Sequence, residues 1–270
     1  MLPTTFDYAA PDTLDAALAL LQTPGAQVLA GGHSLILEMT AKRMAPSLVV
    51  DLRHLLGMIG ITPIEGGLRI GALTPLSQVR GEGMIQASYR ALAEAAGLVG
   101  DAQIRNRAVI GDPVSYDGLT NGLLAAFLVL EAGFVWASGS GEMLHRKPTF
   151  RAGEVLRSID LPALFGNSAY EVLPHAASQF PIVGVAAYVE QADDQIQTCR
   201  VAVTGIGIPA ARLSKVEETL VGKAATPENL ATAAAIATIS APAVTSVSPD
   251  YMAHLVKVFT RRALARASHQ

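Results

Sequence analysis

The sequence predicts an α+β protein in three stretches. A small α/β unit covers about residues 1–55, a second α/β unit about 56–165, and an antiparallel sheet with helices fills 166–270. Three observations carry this. A helix pattern followed by two buried-strand patterns opens the chain. Alternating strands with glycine turns then take over. The last third pairs two long strands about Asp193-Asp194 before three helix patterns.

In order, "PDTLDAALALLQTPG" reads as a helix, with Asp12 or Thr13 as cap, Leu14, Ala17, Leu18 and Leu21 on one face, and Pro24-Gly25 as its stop. "AQVLA" is a strand, Gly31-Gly32 a turn, "LIL" a short apolar segment, and "SLVVDL" a second buried strand. "GMIGITPIEGGLRIGAL" gives two strands about Glu65-Gly66-Gly67. The stretch from Thr74 to Gly100 is largely helical, with Thr74 as cap and Pro75 in the first turn. "NGLLAAFLVLEAGFVWAS" passes from a short helix into a strand, and "EVLRSIDLP" is another strand. Beyond the two long strands, helices fall at "LSKVEETLVG", at "TPENLATAAAIATI" with Thr226 as cap, and at the C-terminal "SPDYMAHLVKVFTRRALARA".

Half of the 270 residues are apolar and 16% are charged, which is enough to bury a substantial core. A net charge of −3 with no Lys/Arg cluster gives no electrostatic case for nucleic acid. The longest apolar run is broken by Glu131, so no membrane span is expected, and the N-terminus lacks a signal-peptide pattern. A single cysteine, Cys199, rules out an intrachain disulfide or a cysteine-built cluster and suits a reducing cytoplasm. The six histidines are scattered, so no metal site is expected. "TGIGIPAAR" mimics a dinucleotide fingerprint, but Pro209 interrupts it and no leading β-α-β unit precedes it. A glycine turn from strand to helix is the better reading.

"LAGGHSLIL" is more informative. Consecutive peptide N–H groups bared by Gly31 and Gly32 make a nest suited to phosphate, with the Ser34 hydroxyl and the His33 ring beside it. On the residues alone, an anion nest and a plain turn are equally compatible.

Three blocks, "VLAGGHSLI" (28–36), "RIGALTPLSQV" (69–79) and "GDAQIRNRAVIGDP" (100–113), resemble the FAD-binding medium subunits of aerobic carbon monoxide dehydrogenase and xanthine dehydrogenase-type molybdenum hydroxylases. "FPIVGVAAYVE", "CRVAVTGIG" and "DYMAHLVKVFTRRAL" resemble the C-terminal domain of the same family, in the same order. The resemblance implies a two-subdomain FAD-binding domain of the PCMH type over 1–165 and a carbon monoxide dehydrogenase flavoprotein C-terminal-like domain over 166–270. It implies that Ala30, Gly31, Gly32, His33, Ser34 and Leu35 wrap the FAD pyrophosphate. Val109, Ile110 and Gly111 would form the second side of the cradle, and Asp117 and Leu156 would touch the cofactor as well.

The implied function is electron transfer. Electrons pass from iron–sulfur clusters through FAD to an external acceptor, and no side chain of this subunit acts as a catalytic acid or base. The molybdenum cofactor would belong to a large partner subunit and the iron–sulfur clusters to a small one. Together they would form a heterotrimer, with its dimerisation left open. The match departs from the family at the second motif, where the Thr of the usual Thr-Ile-Gly-Gly-Asn is Val109 and roughly six residues after Gly111, the second glycine among them, are missing before Asp112-Pro113. That departure raises an alternative: a flavin-free structural or assembly subunit of the same fold.

Overall fold

In the computed structural model, the described residues are 5–114, 122–147, 151–176, 180–239 and 247–269. The chain forms two compact units that do not follow one another in sequence. One comprises Met1–Gln78, Ala102–Asp117 and Ala132–Pro162; the other comprises Val79–Asp101, Gly118–Glu131 and Ala163–Gln270.

The first unit begins with β1 (Asp7–Ala9), α1 (Leu14–Leu20), β2 (Ala26–Leu29), α2 (His33–Thr40) and β3 (Leu48–Asp51). The three strands form a parallel sheet in the order β1-β3-β2. Thr13 caps α1, its hydroxyl accepting the Ala16 N–H at 3.3 Å. The apolar segment after the glycine pair is helical. Gly32, in the left-handed region at φ 81°, turns the chain out of β2. Leu35 and Met39, one turn apart, then pack on Val49 of β3.

A five-stranded antiparallel sheet completes this unit. It contains β4 (Ile61–Ile64), β5 (Gly67–Gly71), and then, later in the chain, β6 (Gly133–Ser138), β7 (Gly141–His145) and β8 (Val155–Pro162), in the order β4-β5-β8-β6-β7. The stretch expected to be largely helical is three short helices, α3 (Leu76–Gly81), α4 (Gly83–Ser88) and α5 (Arg90–Gly97), with extended or irregular backbone at Glu82 and Tyr89 between them. Thr74 is not a cap. Its buried hydroxyl accepts the Gly60 N–H at 2.9 Å and donates to the Gly60 carbonyl at 3.1 Å, tying β5's exit to the approach to β4. α6 (Ala102–Arg107) and a single 3₁₀ turn, Asp112–Val114, return the chain to the first unit.

In the second unit, α7 (Gly122–Val129) packs with α5 on one face of a four-stranded antiparallel sheet. Its strands are β9 (Asn167–Pro174), β10 (Pro181–Ala192), β11 (Gln195–Gly205) and β12 (Ile208–Arg212), in the order β12-β11-β10-β9. The β10–β11 turn has Asp193 and Asp194 at φ 51° and 59°, the hairpin geometry that Asp tolerates well. The other face buries Val183, Val185, Val201 and Val203 against α8 (Ser214–Leu220), α9 (Pro227–Ala235) and α10 (Pro249–Ser268). Thr226 and Ser248 cap the last two helices, each with proline in the first turn. The glycines of "TGIGIPAAR" lead from strand to strand, correcting the expected strand-to-helix turn. Gly205 pairs with Ile208 across a β11–β12 hairpin with Gly207 at φ 69°. β1, β7, β9 and β12 have no counterpart in the sequence reading. Among the described residues, no helix is long and apolar enough to cross a membrane.

Candidate flavin site

Two glycine-containing turns of the first unit meet. The β2–α2 turn brings Ala30, Gly31 and Gly32 to the segment that leaves α6. A Cβ on Gly31 would overlap the carbonyl oxygen of Arg107 and stand 2.9 Å from the Ala108 Cα and 3.0 Å from the Val109 N, so only glycine allows this approach. The 107–112 segment is held from its other side by backbone bonds. Leu76 N–H donates to the Ala108 carbonyl (2.9 Å), Ile110 N–H to Thr74 (3.0 Å), and Gly111 N–H to Ala72 (2.9 Å).

At the centre of this meeting point lies Asp112. The residue is only 6% exposed, and the backbone N–H groups of Gly31 and Val109 lie near enough to favour its ionised form. Its Oδ2 is buried with no hydrogen-bond partner. Burial pushes the Asp112 carboxyl up to about 7, against the opposing pull of the two N–H donors. His33, the first residue of α2, is half-buried, and burial lowers its imidazole below the usual histidine value, so it is neutral at pH 7.

Beside these turns is a cavity of about 380 Å³. Its lining includes Ala30, Gly111 and Leu156 from the candidate residues, together with Gly25, Trp136 and Arg151. Trp136 and Arg151 each carry a buried nitrogen, Nε1 and Nε, without a hydrogen-bond partner. Both are donors, so a ligand with acceptor atoms would satisfy groups the fold leaves open.

The candidate residues thus separate by role. Ala30, Gly111 and Leu156 line the cavity. Gly31 and Val109 meet through backbone. The side chains of Ser34, Leu35, Val109 and Ile110 are buried, Leu35 in the small core beneath α2, so the peptide groups are what these positions offer a ligand. Gly32 sets the turn. Asp117 lies outside the described residues. The sequence reading missed Asp112 as a side chain with a role of its own, as well as Trp136 and Arg151. Asp112 stands directly after Gly111 in the shortened motif, but the sequence carries no signal of where its carboxylate goes.

Residues 4–164 match the family described as the FAD binding domain in molybdopterin dehydrogenase. The chain belongs to the flavoprotein subunits of the molybdenum hydroxylases. Residues 168–267 of this flavoprotein match the CO dehydrogenase flavoprotein C-terminal domain. The chain is 30% identical to the carbon monoxide dehydrogenase medium chain of Hydrogenophaga pseudoflava, over 99% of this chain and 98% of that one. It is 29% identical to the 6-hydroxypseudooxynicotine dehydrogenase complex subunit alpha of Paenarthrobacter nicotinovorans, over 100% and 97%. The fold superposes on the carbon monoxide dehydrogenase of Hydrogenophaga pseudoflava that lacks the Mo-pyranopterin moiety. The TM-score is 0.92 at 29% identity, covering 99% of this chain and 98% of that chain. The flavoprotein is an oxidoreductase subunit of FAD-binding type, and in carbon monoxide dehydrogenase-type complexes the molybdenum cofactor and iron–sulfur clusters belong to partner subunits.

The residues present fit FAD by chemistry. Gly31 lets the turn close on the Arg107–Val109 backbone, and Gly111 lets its own segment close on Ala72 beside Leu156. The adjoining cavity has an apolar wall at Leu156 and two unpaired N–H donors on its lining residues.

Proposed function

We propose that this flavoprotein is the FAD-carrying medium subunit of a cytoplasmic heterotrimer, working with a large molybdenum-cofactor subunit and a small iron–sulfur subunit. Its task is to take electrons from an iron–sulfur centre and pass them to an external acceptor. The observation that carries the reading is the cradle of the first unit, in which the glycine turn at Gly31 meets the Arg107–Val109 backbone beside a cavity lined by Ala30, Gly111 and Leu156.

When bound, the flavin ring supplies the redox chemistry; the protein supplies binding, orientation and electrostatics. The peptide groups of Ala30–Leu35 and of Val109 would hold the pyrophosphate, while Ile110 and Gly111, whose N–H groups are bonded to Thr74 and Ala72, would shape that side of the cradle. Leu156 would give an apolar contact, and Asp117 is assigned to the same site by its position in the motif. Neutral His33 would donate or accept a hydrogen bond without adding charge. No acid or base from this chain is needed for electron relay.

The visible spectrum of the purified chain, with flavin counted after denaturation, tests the reading. One FAD per chain and co-purification with a large molybdenum subunit and a small iron–sulfur subunit support it. A colourless chain that FAD cannot reconstitute would overturn it in favour of the flavin-free assembly role, which the likeness to flavin-binding relatives does not favour.

A further inference from the structure

The second unit has a cavity of its own, of about 630 Å³, lined by Arg80 of α3, Arg90, Glu94 and Gly97 of α5, Leu98 and Arg266 of α10 among others, all within that unit. The Glu94 carboxylate already holds three hydrogen bonds. Its Oε1 accepts Arg90 Nε at 2.9 Å and Arg266 Nη2, and its Oε2 accepts the Tyr170 N–H at 2.8 Å. Arg266 is held a second time, donating from Nη1 to Glu171 at 2.9 Å and to the Tyr170 carbonyl at 3.1 Å. Donors, by contrast, are left over. Among the described residues Arg80 makes no ion pair, and Arg90 spends only Nε on Glu94. Arg80 is nevertheless placed. Its carbonyl accepts Gln86 Nε2 at 2.8 Å, and Gly97 makes room for its stem, since a Cβ there would stand 3.2 Å from Arg80 Cδ and Nε.

We propose that this cavity binds a small phosphate monoester, with the Arg80 and Arg90 guanidinium groups on the phosphate oxygens and the apolar body of the ester against Gly97 and Leu98. Unspent guanidinium donors beside a carboxylate that is already occupied select an acceptor-rich ligand. A carboxylate brings two oxygens and one charge, which fill one guanidinium fork. A phosphate monoester brings three oxygens and close to two charges above pH 7, enough for both forks. The three arginines stand against two carboxylates, Glu94 and Glu171, so the site keeps an excess of positive charge for the ligand to meet. The volume exceeds that of a phosphate group and suits a small organic molecule. Leu98, 48% exposed, supplies apolar ground for the rest of it. None of these residues belongs to the flavin cradle, so the inference goes beyond the flavin reading and does not rest on it.

The test is a titration of the purified full chain with phenyl phosphate, read by calorimetry and phosphorus NMR. It is run at about pH 8 and about 150 mM NaCl, where diffuse attraction between exposed charges is screened. Phenyl phosphate should bind at one per chain with a dissociation constant on the order of 0.1–1 mM. Benzoate, with one charge and one fork's worth of oxygens, should bind at least about fivefold more weakly. Arg80→Gln breaks no ion pair, so it should melt with wild type and keep the same flavin content while binding phenyl phosphate about tenfold more weakly. Gly97→Ala, whose methyl meets the Arg80 stem, should weaken binding in the same direction. No binding at about 10 mM phenyl phosphate would overturn the proposal, as would benzoate binding equally well. An affinity that Arg80→Gln leaves unchanged would also overturn it and place the phosphate at the flavin cradle instead.

Discussion

Gly31 and Arg107 touch backbone to backbone, the glycine's missing side chain leaving room for the arginine's carbonyl oxygen. This contact couples the two motifs on which the site depends. The clearance at Gly31 therefore serves the protein's own chain, and the anion nest is a product of that packing. A substitution here acts on both fold and ligand.

Gly31→Ala should cost about 1–3 kcal/mol, because the new methyl meets backbone that cannot rotate away. Gly32→Ala, one residue further on, meets the movable tip of Ile36 at 3.0 Å and costs chiefly the strain of φ 81°, about 1 kcal/mol. Urea unfolding of both variants checks the order. Equal losses, or a larger loss at Gly32, would mean that the 107–109 segment yields more readily than this contact implies.

Thr74 offers an independent test of how the five-stranded sheet is closed. Its side chain is 0% exposed and makes both a donated and an accepted bond to Gly60. Thr74→Val keeps the shape and removes both bonds, leaving the Gly60 peptide without this partner. The expected loss is about 1–3 kcal/mol, whereas Thr74→Ser, which keeps the hydroxyl, should lose less. A valine variant as stable as the parent would show that water replaces the hydroxyl.

Much of this fold was legible because its signals are local. Thr13 and Thr226 cap their helices where the sequence puts them, Asp193-Asp194 makes the hairpin, and the β4–β5 turn sits at Glu65-Gly66. Elements fixed by distant partners were not legible. β1 is three residues long and owes its existence to a parallel pairing with β3, and α2 was obscured because "LIL" lacks a helical period until Met39 is seen to pack with Leu35. The nest was visible as a glycine pair, but Asp112 was not visible as a buried carboxyl beside it. Nothing in the spacing says that an aspartate so far along the chain will turn back onto Gly31.

In the second unit, Glu217 of α8 joins three elements. It accepts the Val201 N–H of β11 at 2.8 Å and both Nε and Nη2 of Arg212, the last residue of β12, the latter at 2.9 Å. Glu217→Ala strands a buried N–H and unpairs the guanidinium, and should cost about 2–4 kcal/mol, less than a fully buried pair because Arg212 is partly open to water. Arg212→Ala should cost less, since Glu217 keeps the Val201 bond and gains access to solvent. Thermal melts of the two single variants and the double variant read the difference. An arginine variant more damaging than the glutamate variant would contradict it.

The stability of the flavin-free chain should itself depend on Asp112. Its carboxyl is raised to about 7 in the folded protein, against about 4 in an unfolded chain, so the folded state binds this proton more tightly. A raised value contributes stability that is complete below about pH 4 and is lost as pH rises to about 7. Asparagine has the same shape and no such proton. The stability of Asp112→Asn relative to wild type should therefore climb across that window and level off above it, by at most on the order of 4 kcal/mol. Because general charge effects act on both proteins alike, the difference between their urea-unfolding free energies at pH 4.5 and at pH 8 isolates this one group. Parallel profiles would mean that Asp112 stays ionised throughout, held by a site more polar than its burial indicates.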